Sequence, residues 1–180
     1  VISGKIAYPG EIRDIKYEKL NDTFWILGKN EISVLYPDRL ESEKVYSGND
    51  LTCFEIISGK IYAGTSNGFL VIDGKTKQIS GEKTDKLPCP EINVIRCIDK
   101  DIWMGTTSGA FRLRDDGRFD YYASLRWLLS DKVTDIAEGP EGSVLILTEK
   151  GLSRICFKEM TLHDKAMLFE KQVRERHIRH

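Results

Sequence analysis

Acidic residues in close pairs are the first candidates for chemistry in this sequence. Asp115 and Asp116 are adjacent, and Asp131 and Asp135 are four apart. A glycosidase needs two carboxylates held about 5–10 Å apart across a cleft. Asp115-Asp116-Gly117 reads instead as a turn, and Asp131 with Asp135 as turn and cap residues flanking the start of a strand. The histidines, His163, His177 and His180, all lie near the C-terminus. His177 and His180 have the i, i+3 spacing that can share a metal, but Arg174, Arg176 and Arg179 surround them and repel a cation. These cations suit the C-terminus of a helix, where they interact favourably with its dipole. Cys53, Cys89, Cys97 and Cys156 form no C-x-x-C pair and read as free, mostly buried thiols, with one disulfide open in a secreted protein. G-x-S-x-G, P-loop and G-x-G-x-x-G motifs are missing; Gly105-Thr106-Thr107-Ser108-Gly109 has its serine one place off. No catalytic residue, metal site or cofactor is therefore assigned.

The densest aromatic cluster runs through Tyr121, Tyr122, Arg126 and Trp127. Aromatic faces beside an arginine stack on sugar rings or hold carboxylated ligands. These four residues are the expected ligand site; the alternative places Tyr121 in an outer strand and Trp127 in the core. Trp103 is expected to be buried and is the weaker candidate.

Composition narrows the partners. The 180 residues are 41% hydrophobic and 31% charged, with a formal net charge of −1. Such a chain folds, and it offers no electrostatic attraction for nucleic acid or an anionic membrane. Its apolar runs are too short to span a bilayer. Asn21-Asp22-Thr23 is a glycosylation sequon, which permits a secretory route.

The elements that position these residues emerge from an internal repeat. Trp25-Ile26-Leu27-Gly28, Tyr62-Ala63-Gly64-Thr65, Trp103-Met104-Gly105-Thr106 and Leu145-Ile146-Leu147-Thr148 align without gaps. The spacings of 37, 41 and 42 residues between these anchors suit a four-stranded propeller blade. Each anchor is preceded by an apolar run, at 12–17, 51–57, 92–98 and 133–137, and followed by another, at 32–36, 69–72, 110–113 and 152–157. Asn21-Asp22, Ser58-Gly59, Asp99-Lys100 and Glu141-Gly142 supply the positive φ angles that tight hairpins need. The pattern predicts an antiparallel meander, with aromatic anchors wedged between blades and glycines on inner strands that let neighbours approach.

Ile102-Trp103-Met104-Gly105-Thr106-Thr107-Ser108-Gly109 resembles the W-x-G-T-x-x-G core of two-component-regulator propeller repeats. Residues 61–69 are similar, and the resemblance extends over about 10–157. It implies a propeller of the kind found in periplasmic sensor domains of hybrid histidine kinases and in secreted multidomain proteins. The ends differ. The fourth repeat lacks an outer-strand pattern, and residues 1–8 read either as its missing strand or as the remnant of an upstream blade. Thr161 and Asp164 resemble a capping box, and Leu162, Ala166, Phe169 and Val173 form one apolar stripe. The tail from Met160 to His180 is similar to a linker that joins propellers to α/α-toroid domains of carbohydrate-active enzymes.

The expected fold is all-β: a β-propeller of about four antiparallel four-stranded blades, part of a larger ring, with one C-terminal α-helix. Blades are expected at about 10–48, 49–88, 89–128 and 129–158, with 1–9 a leftover or closing strand and 159–180 an amphipathic linker helix. That helix is expected to bind a second domain or chain through Leu162, Ala166, Phe169, Val173 and Arg176. The expected function is a non-catalytic binding or scaffolding module of a larger, extracytoplasmic protein or two-chain enzyme acting on carbohydrate-like substrates. The alternatives are a ligand-sensing propeller of a two-component regulator and a propeller enzyme with a site in its central channel.

Overall fold

The computed structural model describes residues 5, 7–83, 87, 89–157, 166–167 and 169–170. They form four antiparallel sheets, each a meander in chain order. Sheet 1 holds β1 (Ile12–Glu18), β2 (Thr23–Gly28), β3 (Glu31–Tyr36) and β4 (Glu41–Ser47). Sheet 2 holds β5 (Leu51–Ile57), β6 (Lys60–Thr65), β7 (Gly68–Asp73) and β8 (Ile79–Lys83). Sheet 3 holds β9 (Ile92–Ile98), β10 (Asp101–Thr106), β11 (Gly109–Leu113) and β12 (Phe119–Tyr122). Sheet 4 holds β13 (Val133–Glu138), β14 (Val144–Thr148) and β15 (Gly151–Ile155), three strands among the described residues.

Turn chemistry sets the registers. Asp22, Ser58, Asp99 and Glu141 all have positive φ, between 51° and 58°, in the first hairpin of their sheets. Their short polar side chains, or in two cases a following glycine, match the left-handed conformation that such turns require. At the second hairpin the repeat's Thr-x-x-Gly closes on itself. The hydroxyls of Thr65, Thr106 and Thr148 donate to the carbonyls of Gly68, Gly109 and Gly151 at 3.1, 2.7 and 2.9 Å.

The first strands β1, β5, β9 and β13 lie side by side, and β1 approaches β5 less closely than β5 approaches β9 or β9 approaches β13. The core sits between consecutive sheets. Trp25 packs with Leu51 and Phe54 of sheet 2, Tyr62 with Ile92 and Ile95 of sheet 3, and Trp103 with Val133 and Ile136 of sheet 4. The aromatic anchors are thus the expected wedges. The glycine anchors need one correction: Gly64 and Gly105 stand on second strands, not on the innermost ones. They do admit a neighbour. A Cβ on Gly105 would lie 2.4 Å from Val133 Cγ1, and one on Gly64 would lie 2.8 Å from Ile92 Cγ2.

The four sheets do not close into a ring among the described residues: Ile12 and Ile15 on sheet 1 and Leu147 and Leu152 on sheet 4 remain exposed. One further expectation changes. The C-terminal α-helix is not among the elements of the structure. Of 159–180 only Ala166, Met167, Phe169 and Glu170 are described, helical and exposed, while the other residues, including Leu162, Val173, Arg176 and the histidines, lie outside the described residues. An amphipathic stripe stabilises a helix only when a surface covers it, and Phe169 is 68% exposed. Of residues 1–8, only Lys5, Ala7 and Tyr8 are described, and none is in a strand. Tyr8 donates to Glu31 at 2.6 Å, a contact with β3.

Candidate functional site

A β-bulge interrupts each first strand at the same place. The register shifts between Ile12 and Asp14, between Leu51 and Cys53, beside Gly105 where it pairs with β9, and between Val133 and Asp135. A bulge leaves one residue outside the ladder and re-aims its side chain. The residues so placed are Arg13, Thr52, Asn93 and Thr134, all polar. Three reach across to the next sheet. Arg13 Nη1 donates to the Leu51 carbonyl at 2.9 Å, the Thr52 hydroxyl to the Ile92 carbonyl, and Asn93 Nδ2 to the Val133 carbonyl at 3.1 Å.

Beside this row runs a ladder of alternating charge. Lys16 lies 3.3 Å from Glu55, Glu55 lies 3.7 Å from Arg96, and Arg96 lies 2.8 Å from Asp135. Asp14 and Asp135 each cap their own strand by accepting from the next backbone N–H, at 2.8 and 2.9 Å. The bulge row and the Arg96–Asp135 end of the ladder border a cleft of about 310 Å³ lined by residues of all four sheets. Arg13 and Asp14, Thr52, Asn93 and Arg96, and Thr134 and Asp135 supply its polar groups.

The cleft alternates donors and acceptors over a short distance, which suits a ligand with several hydroxyls. It holds no histidine. Its one thiol, Cys53, is pushed up to about 11 by burial, so it stays protonated at neutral pH and is a poor nucleophile. Among the described residues, no group of three or more His, Cys, Asp or Glu is placed to hold a metal. The cysteines give a simple check. All four are free, with Cys97 and Cys156 exposed. Iodoacetamide at neutral pH should modify Cys97 and Cys156 in the folded protein well before Cys53, which its raised pKa keeps protonated, and before the buried Cys89, as read by peptide mass spectrometry. Early labelling of Cys53 would mean that the seam beside it opens.

The aromatic cluster expected to bind ligand is divided. Tyr121 lies in β12 and its hydroxyl donates to the Ser108 carbonyl. Tyr122 is buried against Trp103, with ring centroids 5.2 Å apart. Trp127 is half exposed, edge-on to Tyr122 at 6.0 Å, and Arg126 covers its ring at 4.7 Å. Trp103 is buried, as expected. The axial residues were not singled out from the sequence. Their signal was there: a polar residue second in each first-strand run, Arg13, Thr52, Asn93 and Thr134.

Four meandering sheets with their first strands side by side define a propeller-type assembly. No protein-family model matches the sequence, and no curated protein matches it. Solved structures share the fold. The extracellular domain of the hybrid two-component system BT4673 from B. thetaiotaomicron superposes with a TM-score of 0.71 at 16% identity, over 81% of this chain and 20% of that one. An auxiliary nutrient binding protein from Bacteroides thetaiotaomicron gives 0.61 at 12% identity, over 77% and 36%. Virginiamycin B lyase from Staphylococcus aureus gives 0.59 at 20% identity, over 83% and 56%. This chain therefore spans between about one fifth and just over half the length of these structures, and the likeness is one of fold. No helix among the described residues is long and apolar enough to cross a membrane.

Proposed function

We propose that this chain is a non-catalytic ligand-binding module of a larger extracytoplasmic protein and that it takes a polyhydroxylated, carbohydrate-like ligand in the axial cleft. The observation that carries the reading is the convergence of polar side chains from all four sheets on one cleft. Binding sites are concave and have a few convergent polar groups. The likeness to an extracellular domain and to a nutrient-binding protein supports it. A sensing role in a two-component regulator is the second reading, favoured by the same extracellular domain. The exposed Ala166 and Phe169 are proposed as part of a contact with a partner domain or chain.

The test is a glycan array followed by calorimetry on the best ligand. Asp14→Ala removes a carboxylate whose nearest cation, Lys16, is 3.8 Å away. A hydrogen bond to a charged group is worth about 1.5–3 kcal/mol, so binding should weaken by roughly 10-fold or more. Trp127→Ala should leave affinity unchanged. The opposite pattern would move the site to the aromatic cluster, and an array without any binder would refute the carbohydrate reading.

A further inference from the structure

We infer that the outer faces of sheets 1 and 4 are two halves of one docking surface, and that its occupant is a second copy of this chain bound head to tail. Three contacts inside the molecule define what such a surface looks like. In each, two residues of one sheet cover two residues on the first strand of the next. Leu27 and Ile32 cover Leu51 and Phe54, Gly64 and Phe69 cover Ile92 and Ile95, and Gly105 and Ala110 cover Val133 and Ile136. The first-strand residues in these contacts are at most 4% exposed.

The repeat places the same four positions once more, unpaired. Ile12 and Ile15 stand on β1 where the others are buried, yet they are 51% and 54% exposed. Leu147 and Leu152 stand on sheet 4 at the covering positions and are 43% and 54% exposed. Exposed residues at positions that are core everywhere else mark an interaction surface. The surface is complementary to itself only head to tail, since each half resembles one side of the internal contact and not the other.

Charge agrees with this arrangement. The axial ladder runs Lys16, Glu55, Arg96, Asp135, alternating in sign from sheet to sheet. A second copy would set its Lys16 beside Asp135 and continue the alternation. Two such contacts around one two-fold axis give a closed ring of eight sheets, within the range of about four to eight blades seen in propellers.

Sedimentation velocity on the 180-residue chain tests the inference. The expected result is a dimer that forms as concentration rises. Ile15→Glu and Leu147→Glu lie on exposed positions, so both variants should keep the parent's circular dichroism. Each should weaken association by about 30-fold or more. An equimolar mixture of the two variants should associate again, because one contact in the mixed dimer is free of both substitutions. A monomer at every concentration overturns the inference, and so does a longer polypeptide whose own sheets cover both faces. A dimer sensitive to Ile15→Glu but not to Leu147→Glu, or a mixture that stays monomeric, also overturns it.

Discussion

Replacing Trp103 by alanine is expected to destabilise the protein by about 3–5 kcal/mol, the range for truncating a buried tryptophan. The indole is 1% exposed. It lies between sheets 3 and 4, packed with Val133, Ile136, Val144 and Ile146, and its ring stands 5.2 Å from Tyr122 and 6.0 Å from Phe157. Removing it opens a cavity along a whole sheet-to-sheet contact, which the rigid hairpins on either side cannot fill by collapse. The loss is a large part of the roughly 5–15 kcal/mol that holds a domain together. For a chain of this length it should lower Tm by roughly 6–20 °C. Urea unfolding measures it as a lower midpoint with unchanged slope. Trp127→Ala is the control. Its ring is 45% exposed and roofed by a flexible arginine, so its loss should cost less than about 1 kcal/mol. Equal costs for the two tryptophans would contradict the wedge assignment of Trp103.

The contrast between these two tryptophans shows what the sequence could and could not convey. Trp103 recurs in register with Trp25 and Tyr62, and a repeat makes one residue's environment predictable from the others. The hairpin turns were legible for the same reason, since Asp22, Ser58, Asp99 and Glu141 all sit at equivalent places and all adopt positive φ. Trp127 belongs to no repeated position, so its surroundings depend on one connection, the turn between β12 and β13. The axial cleft was missed because periodicity of apolar residues draws attention to the core. Arg13, Thr52, Asn93 and Thr134 differ in type and share only a bulge, a backbone feature that hydrophobic patterning does not mark. The C-terminal stripe was legible as a pattern, but a stripe specifies a helix only together with the surface that buries it.

Replacing Gly105 by leucine is the second change with a large expected effect, about 1–3 kcal/mol of destabilisation from overpacking. A Cβ there would meet Val133 Cγ1 at 2.4 Å and Val94 Cγ1 at 2.7 Å. The size of the residue at this position and the length of the bulge side chain vary together across the three internal seams. Where glycine stands, at Gly64 and Gly105, the sheets approach closely and short donors suffice: Thr52 to the Ile92 carbonyl and Asn93 to the Val133 carbonyl. Where leucine stands, at Leu27, β1 keeps its distance from β5. There the donor is Arg13, whose long side chain reaches the Leu51 and Thr52 carbonyls at 2.9 and 3.3 Å. The widened seam also accommodates a groove of about 560 Å³ bordered by Tyr17, Leu20, Ile56 and Gly59. Spacer and donor therefore act as a pair. Gly105→Leu alone should push β13 away and break the Asn93 bond, whereas Gly105→Leu with Asn93→Arg should rebuild the wider seam and recover part of the stability. A double-mutant cycle in urea should show a favourable coupling of at least about 0.5 kcal/mol. Strict additivity would mean that steric spacing and hydrogen bonding are set independently, and that the Leu27 and Arg13 pairing in the first seam is incidental to its width.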